Sequence, residues 1–168
     1  LAEAGLLREG LLLAHNVHLA ASTIDALREG GARFVLCPRS NEAHGNGAPD
    51  VTRFVDAGIP FALGTDSLAS VRNLDLWEEI RRARSLYKGK MDDPWLCREL
   101  MKAATVNGAA ALSLPGGKLD PGAPADFAAV DDPGGEGVDF FRKLVERTGR
   151  PNVRLTVVAG RVAHGAAA

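Results

Sequence analysis

Phe61-Ala62-Leu63-Gly64-Thr65-Asp66-Ser67 sets the architecture of the chain around it. An apolar run reaches a glycine and stops on a carboxylate. Ile59 to Leu63 predicts a short strand buried on both faces, because apolar residues without alternation suit a strand covered on both sides. Asp66 then lies just past the strand's C-terminal end, the edge where parallel α/β architectures collect their chemistry. A carboxylate there can bind a metal ion or move a proton. Asp also caps turns, so this stretch alone leaves both readings open.

Upstream the same punctuation repeats. Leu11-Leu12-Leu13-Ala14 predicts a buried strand ending at His15, and its exit loop, Asn16 to Ala21, carries His18. Ser22-Thr23-Ile24-Asp25 resembles a helix start with Ser22 as cap, and that helix runs to Gly30-Gly31. Arg33 to Cys37 is the next strand, stopped by Pro38. A loop rich in turn formers follows from Arg39 to Gly47. Pro49 opens a helix that Gly58 closes. Residues 1 to 9 predict the end of a helix closed by Gly10. Strand–helix–strand–helix–strand with short loops argues for parallel strands and right-handed crossovers. His15, the Arg39 to Asn41 loop and Asp66 therefore emerge on one rim.

Downstream, Asn73 predicts a cap for an amphipathic helix over Leu74 to Tyr87, with Arg81, Arg82 and Arg84 on a solvated face. Asp93-Pro94 opens another helix reaching about Thr105, and Asn107 to Leu112 adds a short Ala-rich one. From Pro115 the texture changes, with turn residues dense through Pro124. Asp126 to Val130 predicts a strand and Val138 to Arg147 a helix. Val153 to Ala159 and Arg161 to Ala163 predict a hairpin. The division falls at residues 1–114 and 115–168.

Composition narrows the function classes. Among 168 residues the formal net charge is −1, which gives no electrostatic footprint for nucleic acid or an anionic membrane. No apolar run approaches the roughly 20 residues that span a bilayer. Two cysteines, Cys37 and Cys97, without a CxxC partner, point to a reducing, cytoplasmic compartment. The opening Leu1-Ala2-Glu3, with no initiator Met, suggests a fragment of a longer chain.

Four motifs, in this order, carry a resemblance: Ala14-His15-Asn16-Val17-His18-Leu19; Cys37-Pro38-Arg39-Ser40-Asn41; Leu63-Gly64-Thr65-Asp66-Ser67 with Ala69-Ser70; and Gly117-Lys118-Leu119-Asp120-Pro121-Gly122-Ala123-Pro124-Ala125-Asp126. Over about residues 10 to 165 the chain resembles the amidohydrolase superfamily. Its nearest branch holds methylthioadenosine/S-adenosylhomocysteine deaminases, guanine deaminases and triazine hydrolases. The resemblance implies an α/β fold: strands six to eight of a metal-dependent (β/α)8 barrel, plus part of a small β-sandwich. Residues 11 to 15 would be strand six, 33 to 37 strand seven and 60 to 65 strand eight. The family's remaining strands, with its His-x-His pair, its further His and the Glu of the deaminases, are not in this sequence.

Carried over by motif, Asp66 matches the Asp that binds the metal and takes a proton from metal-bound water. His15 matches the strand-six His that polarises substrate or holds the attacking hydroxide. The resemblance offers His18, Arg39, Asn41 and Ser67 as substrate contacts, with Arg39 equally readable as a salt-bridge former and Asn41 as a loop tie. It implies one divalent ion, zinc first and iron second, a small-molecule substrate, a required N-terminal barrel half, and room for a homo-oligomer. Leu36 stands where this branch often carries His or Asn, so a polar substrate contact is expected to be lost. The expected activity is hydrolysis of a carbon–nitrogen bond, foremost deamination of a heterocyclic amine. A halide or amide substrate is the alternative, and a catalytically silent fragment is the reading of another class.

Overall fold

The computed structural model describes residues 3–165, and of Ala21 the backbone. The three short apolar runs pair as strands β1 (Leu12–Ala14), β2 (Arg33–Leu36) and β3 (Phe61–Leu63), all parallel, in the order β1-β2-β3. Leu12 faces Arg33 and Ala14 faces Val35, while Phe34 faces Phe61 and Leu36 faces Leu63. Parallel neighbours need crossovers, and helices supply them. The first is α1 (Ala21–Glu29); the second is the pair α2 (Pro38–Ala43) and α3 (Val51–Asp56). Helices α4 (Leu76–Tyr87), α5 (Asp93–Ala104) and α6 (Val106–Ala111) follow β3.

Burial separates the strands in a way their sequences do not. All of β3 is buried, as its unbroken apolar run requires. In β2, Phe34 and Leu36 are buried and Arg33 and Val35 are half-open. The run predicted as a buried first strand is instead an edge, with Leu12 43 % exposed. No described strand pairs with the far side of β1. The core lies between sheet and helices. Phe54 of α3 stacks edge-on against Phe34 at 5.2 Å and Phe61 at 6.1 Å, joined by Ile80, Tyr87, Leu96 and Leu100. Burying each such side chain contributes about 1.5–3 kcal/mol. Tyr87 satisfies its hydroxyl by donating to the Pro49 carbonyl at 2.9 Å.

Several boundaries differ from expectation. Residues 3–9 form turns and coil rather than a helix end; residues 1 and 2 lie outside the described residues. Ser22 is inside α1, whose start carries no side-chain cap. The predicted loop after Pro38 is helix α2, with Pro38 in its first turn, where the missing N–H costs nothing. Asp75, not Asn73, caps α4, and Asp92 caps α5. The arginines of α4 are not a solvated face. Arg84 donates to Asp93 at 2.8 and 2.6 Å and to Glu146 at 2.7 Å, while Arg81 donates to the Thr148 carbonyl. These bonds tie α4 to α5 and to α7 (Gly137–Arg147) and its exit.

A second sheet is antiparallel, in the order β4 (Phe127–Val130), β5 (Val153–Val158), β6 (Arg161–His164). Helix α7 lies between β4 and β5 in the chain and packs on α4 and α5. The β5–β6 turn is Ala159-Gly160, both at positive φ, the geometry that suits a two-residue hairpin. Ala is a poor left-handed residue. Asp126 offsets this by accepting the Ala159 N–H at 2.6 Å.

Candidate active site

His15 and Asp66 leave β1 and β3 through the left-handed region, at φ 69° and 62°, and Asn16 follows at 56°. Non-glycine residues rarely adopt it, at a cost of order 1–3 kcal/mol each, and such strain gathers at functional sites. Asn tolerates the region best, and Asn16 also clamps it. Its amide donates to the carbonyls of Leu13 at 2.8 Å and Val35 at 3.2 Å, binding the ends of β1 and β2 together. Gly64 prepares the other side. A Cβ there would stand 3.0 Å from Val35 Cγ1 and 3.7 Å from Cys37 Sγ, so glycine lets β2 and β3 close up just before Asp66.

Helix α2 completes the arrangement. Successive helix positions turn by about 100°, and three consecutive residues serve three directions. Arg39 reaches α4. Ser40 Oγ donates to Asp66 Oδ2 at 2.6 Å, and Ser70 Oγ donates to the same oxygen at 3.4 Å. Asn41 Oδ1 accepts from His15 Nδ1 at 2.9 Å, which leaves Nε2 of that ring 3.8 Å from Asp66 Oδ2. Ser40 and Asn41 are fully buried, whereas the His15 and Asp66 side chains are 37 % and 35 % exposed. Two reactive groups thus face solvent on a buried polar footing.

Electrostatics fit these positions. The Ser40 hydroxyl, more than any other group, holds the Asp66 carboxyl below the usual carboxylate range. His15 and the Ser67 N–H act in the same direction, against partial desolvation. Asp66 is therefore an anion at neutral pH. Burial, followed by the charges of Asp66 and Glu79, pushes the neighbouring Cys37 thiol up to about 11, so it is neutral.

Of the residues expected at the site, His15, Asp66 and Asn41 come together. Ser67 is next to them but shapes the turn: its Oγ accepts from Ala69 N at 3.3 Å and its carbonyl accepts from Ser70 and Val71. His18 is exposed on the exit loop, and among the described residues no hydrogen bond joins it to His15 or Asp66. Arg39 is engaged within the chain, as the salt-bridge reading expects. Its Nε donates to buried Glu79 at 2.6 Å, and its remaining four donors go to Glu78, the side chain and carbonyl of Asn73, and the Asp75 carbonyl. All five guanidinium hydrogens are committed within the chain. Leu36 is fully buried in the hydrophobic core. Ser40, Asn16 and Glu79 support the site without being among the residues expected there. Pro38 at a helix start was the signal that would have found Ser40.

An imidazole and a carboxylate are donors that suit zinc or iron. They are also too few, since a catalytic zinc site takes three protein ligands. Among the described residues, no group of three or more His, Cys, Asp or Glu stands where it could hold a metal ion.

A parallel sheet with His and Asp side by side at its carboxyl edge is where α/β proteins place catalytic groups, and comparison with known proteins agrees. The chain belongs to the amidohydrolase family, whose model matches residues 1–163. It is similar to the 5-methylthioadenosine/S-adenosylhomocysteine deaminase of Halobacterium salinarum, at 42 % identity over 134 residues, 77 % of this chain and 31 % of that protein. It is 36 % identical to the 5'-deoxyadenosine deaminase of Methanosarcina mazei over 157 residues, 90 % of this chain and 36 % of that one. Among solved structures, an adenosine deaminase from Xanthomonas campestris with bound zinc superposes with a TM-score of 0.86 at 28 % identity. That match covers 98 % of this chain and 39 % of that one. The chain therefore spans about a third of the length of the curated relatives it matches. Among the described residues no helix is long and apolar enough to cross a membrane.

Proposed function

We propose that this chain supplies strands six to eight (β1, β2 and β3) and the C-terminal sandwich strands of a metal-dependent (β/α)8-barrel hydrolase. Its division falls near residue 114, and its reaction is the hydrolytic deamination of a heterocyclic amine. The observation that carries the reading is the meeting of His15 Nε2 and Asp66 Oδ2 at 3.8 Å on the carboxyl edge of the parallel sheet. The family of the chain and the deaminase names of its relatives support it. The open edge of β1 and the unfilled ligand set support a second element, an N-terminal barrel half that this chain requires for activity.

In this reading Asp66 contributes to a divalent metal site, zinc foremost and iron as the alternative. Such an ion supplies Lewis acidity, drawing the pKa of a bound water toward ~7. Asp66 accepts a proton from the attacking water as the new C–O bond forms, and returns it to the amine nitrogen as the C–N bond breaks and ammonia leaves. His15 Nε2, on the solvent side of its ring, accepts a hydrogen bond from the attacking water and holds it in place. Ser67 and His18 remain on the rim as proposed substrate contacts. The chain acts in a reducing, cytoplasmic compartment, which the buried free thiols of Cys37 and Cys97 support.

The test is ammonia release by the full-length protein from adenosine-like and guanine-like substrates, before and after Asp66→Ala. Turnover should disappear with the carboxylate. Near-normal activity in the variant would refute the assignment. Release of halide or cleavage of an amide, with no deamination, would move the reading to the alternative substrate class. The chain by itself should be inactive.

A further inference from the structure

We propose that Asn41 is a positioning residue rather than a substrate contact: its buried side-chain oxygen keeps a hydrogen on His15 Nδ1, so that Nε2 is the nitrogen His15 offers to the site. This deepens the functional reading above and rests on it only for the identity of the reaction.

The first support is accessibility. Asn41 is 1 % exposed, and its Nδ2 is buried without a partner among the described residues. A side chain so enclosed, on the far side of the imidazole from solvent, is not placed to touch a substrate. Buried amides are retained at least cost when hydrogen-bonded, and the bond that Asn41 makes is the one to His15 Nδ1, at 2.9 Å.

The second support is chemical. A neutral imidazole has one N–H and one lone pair, and the partner of one nitrogen fixes the role of the other. A carbonyl oxygen only accepts. Opposite Asn41 Oδ1, Nδ1 must therefore carry the hydrogen, and Nε2 presents its lone pair toward the space beside Asp66 Oδ2. The reversed amide would give the opposite tautomer, with Nε2–H facing Asp66 and the lone pair hidden. The two orientations make different reagents of His15.

The third support is mechanical. Asn41 sits on α2 next to Ser40, which is fully buried and donates to Asp66 Oδ2. The preceding residue, Arg39, anchors the helix to α4 through Glu79. One short helix thus holds both reactive groups by adjacent side chains. His15 also occupies a left-handed backbone conformation, so its ring direction depends on such support.

The experiment is nitrogen-15 NMR of the histidine side chains of this 168-residue chain, metal-free, in alkaline buffer where imidazoles are neutral. Four histidines give few signals, and His15→Gln identifies the one of interest. The expected wild-type spectrum shows His15 with hydrogen on Nδ1. Asn41→Asp keeps an acceptor and should preserve that pattern. Asn41→Leu, of similar size without an acceptor, should convert it to the Nε2–H form or a mixture, while the signals of His18 and His44 stay in place. A wild-type His15 with hydrogen on Nε2 overturns the proposal outright, even if neither variant folds. An unchanged His15 pattern in a folded Asn41→Leu also overturns it. Because no turnover is measured, failure here is separate from failure of the deaminase reading: an inactive full-length protein with Nδ1-protonated His15 would leave this inference standing.

Discussion

Glu79→Gln is the perturbation that most directly probes how the site is built. Glu79 has no exposed surface and meets Arg39 twice, through Nε at 2.6 Å and through the backbone N–H at 3.1 Å. Removing one member of a buried pair typically costs 3–5 kcal/mol, because the other charge stays buried and uncompensated. Arg39 here keeps Glu78, Asn73 and two carbonyls, and the Gln oxygen still accepts one bond. The expected loss therefore falls just below that range, about 2–3 kcal/mol. For a chain of this length that corresponds to a melting temperature lower by roughly 4–12 °C. Equilibrium urea unfolding followed by Trp77 and Trp95 fluorescence measures it. As a control, Asp120→Asn breaks the exposed ion pair with Lys118 and should leave the midpoint where it is. The double variant Arg39→Met with Glu79→Leu should recover part of the loss, since two apolar residues remove both charges from the interior. A loss below about 0.5 kcal/mol for Glu79→Gln would mean that the pair behaves like a surface contact and does not anchor α2.

Other expectations follow from the same geometry. Arg84 holds the Asp93 carboxyl below its usual range, so this group stabilises the fold above about pH 4, its unfolded value, and the contribution fades as pH falls through the lower folded value. Asp93→Asn should flatten the acid limb of a stability-versus-pH curve, and an unchanged limb would remove Arg84 as the cause. The Cys37 and Cys97 thiols are both raised to about 11 from 9.0, chiefly by burial. Their contribution is whole below pH 9.0 and is lost as pH rises toward 11. At mildly alkaline pH both should resist alkylation until urea is added; rapid labelling of the native chain would contradict their burial. With His15 and Asp66 as its adjacent donors, the isolated chain should bind zinc weakly in calorimetry, and tight one-to-one binding would show a ligand set other than the one proposed.

Much of the fold was legible because its signals are local. The run before Asp66 has no polar residue to turn outward, and β3 is buried on every position. Glycines after the first helix, proline at the start of α5, and Ala159-Gly160 at the hairpin act through the few φ values each permits. What could not be read locally depended on neighbours. Leu12 is as apolar as Leu63, and both lie on edge strands of the described sheet, but α5 and α6 pack on β3 and bury it whereas β1 stays open. Arg81 and Arg84 follow the pattern of a solvated helix face, and become anchors because α5 and α7 bring acceptors to them.

The site divides along the same line. The sequence alone puts His15 and Asp66 at the ends of the first and third strands of a parallel sheet, because each apolar run stops within a few residues of one of them. It also placed Arg39, Ser40 and Asn41 after the strand between them. Which way those three side chains act depends on the folded chain: Arg39 into a buried ion pair, Ser40 onto Asp66, Asn41 onto His15. The reason is geometric. Chain order fixes which strand end a residue occupies, whereas a helix turning by about 100° per residue assigns adjacent residues to different partners, and those partners lie 26 to 40 positions away in the chain.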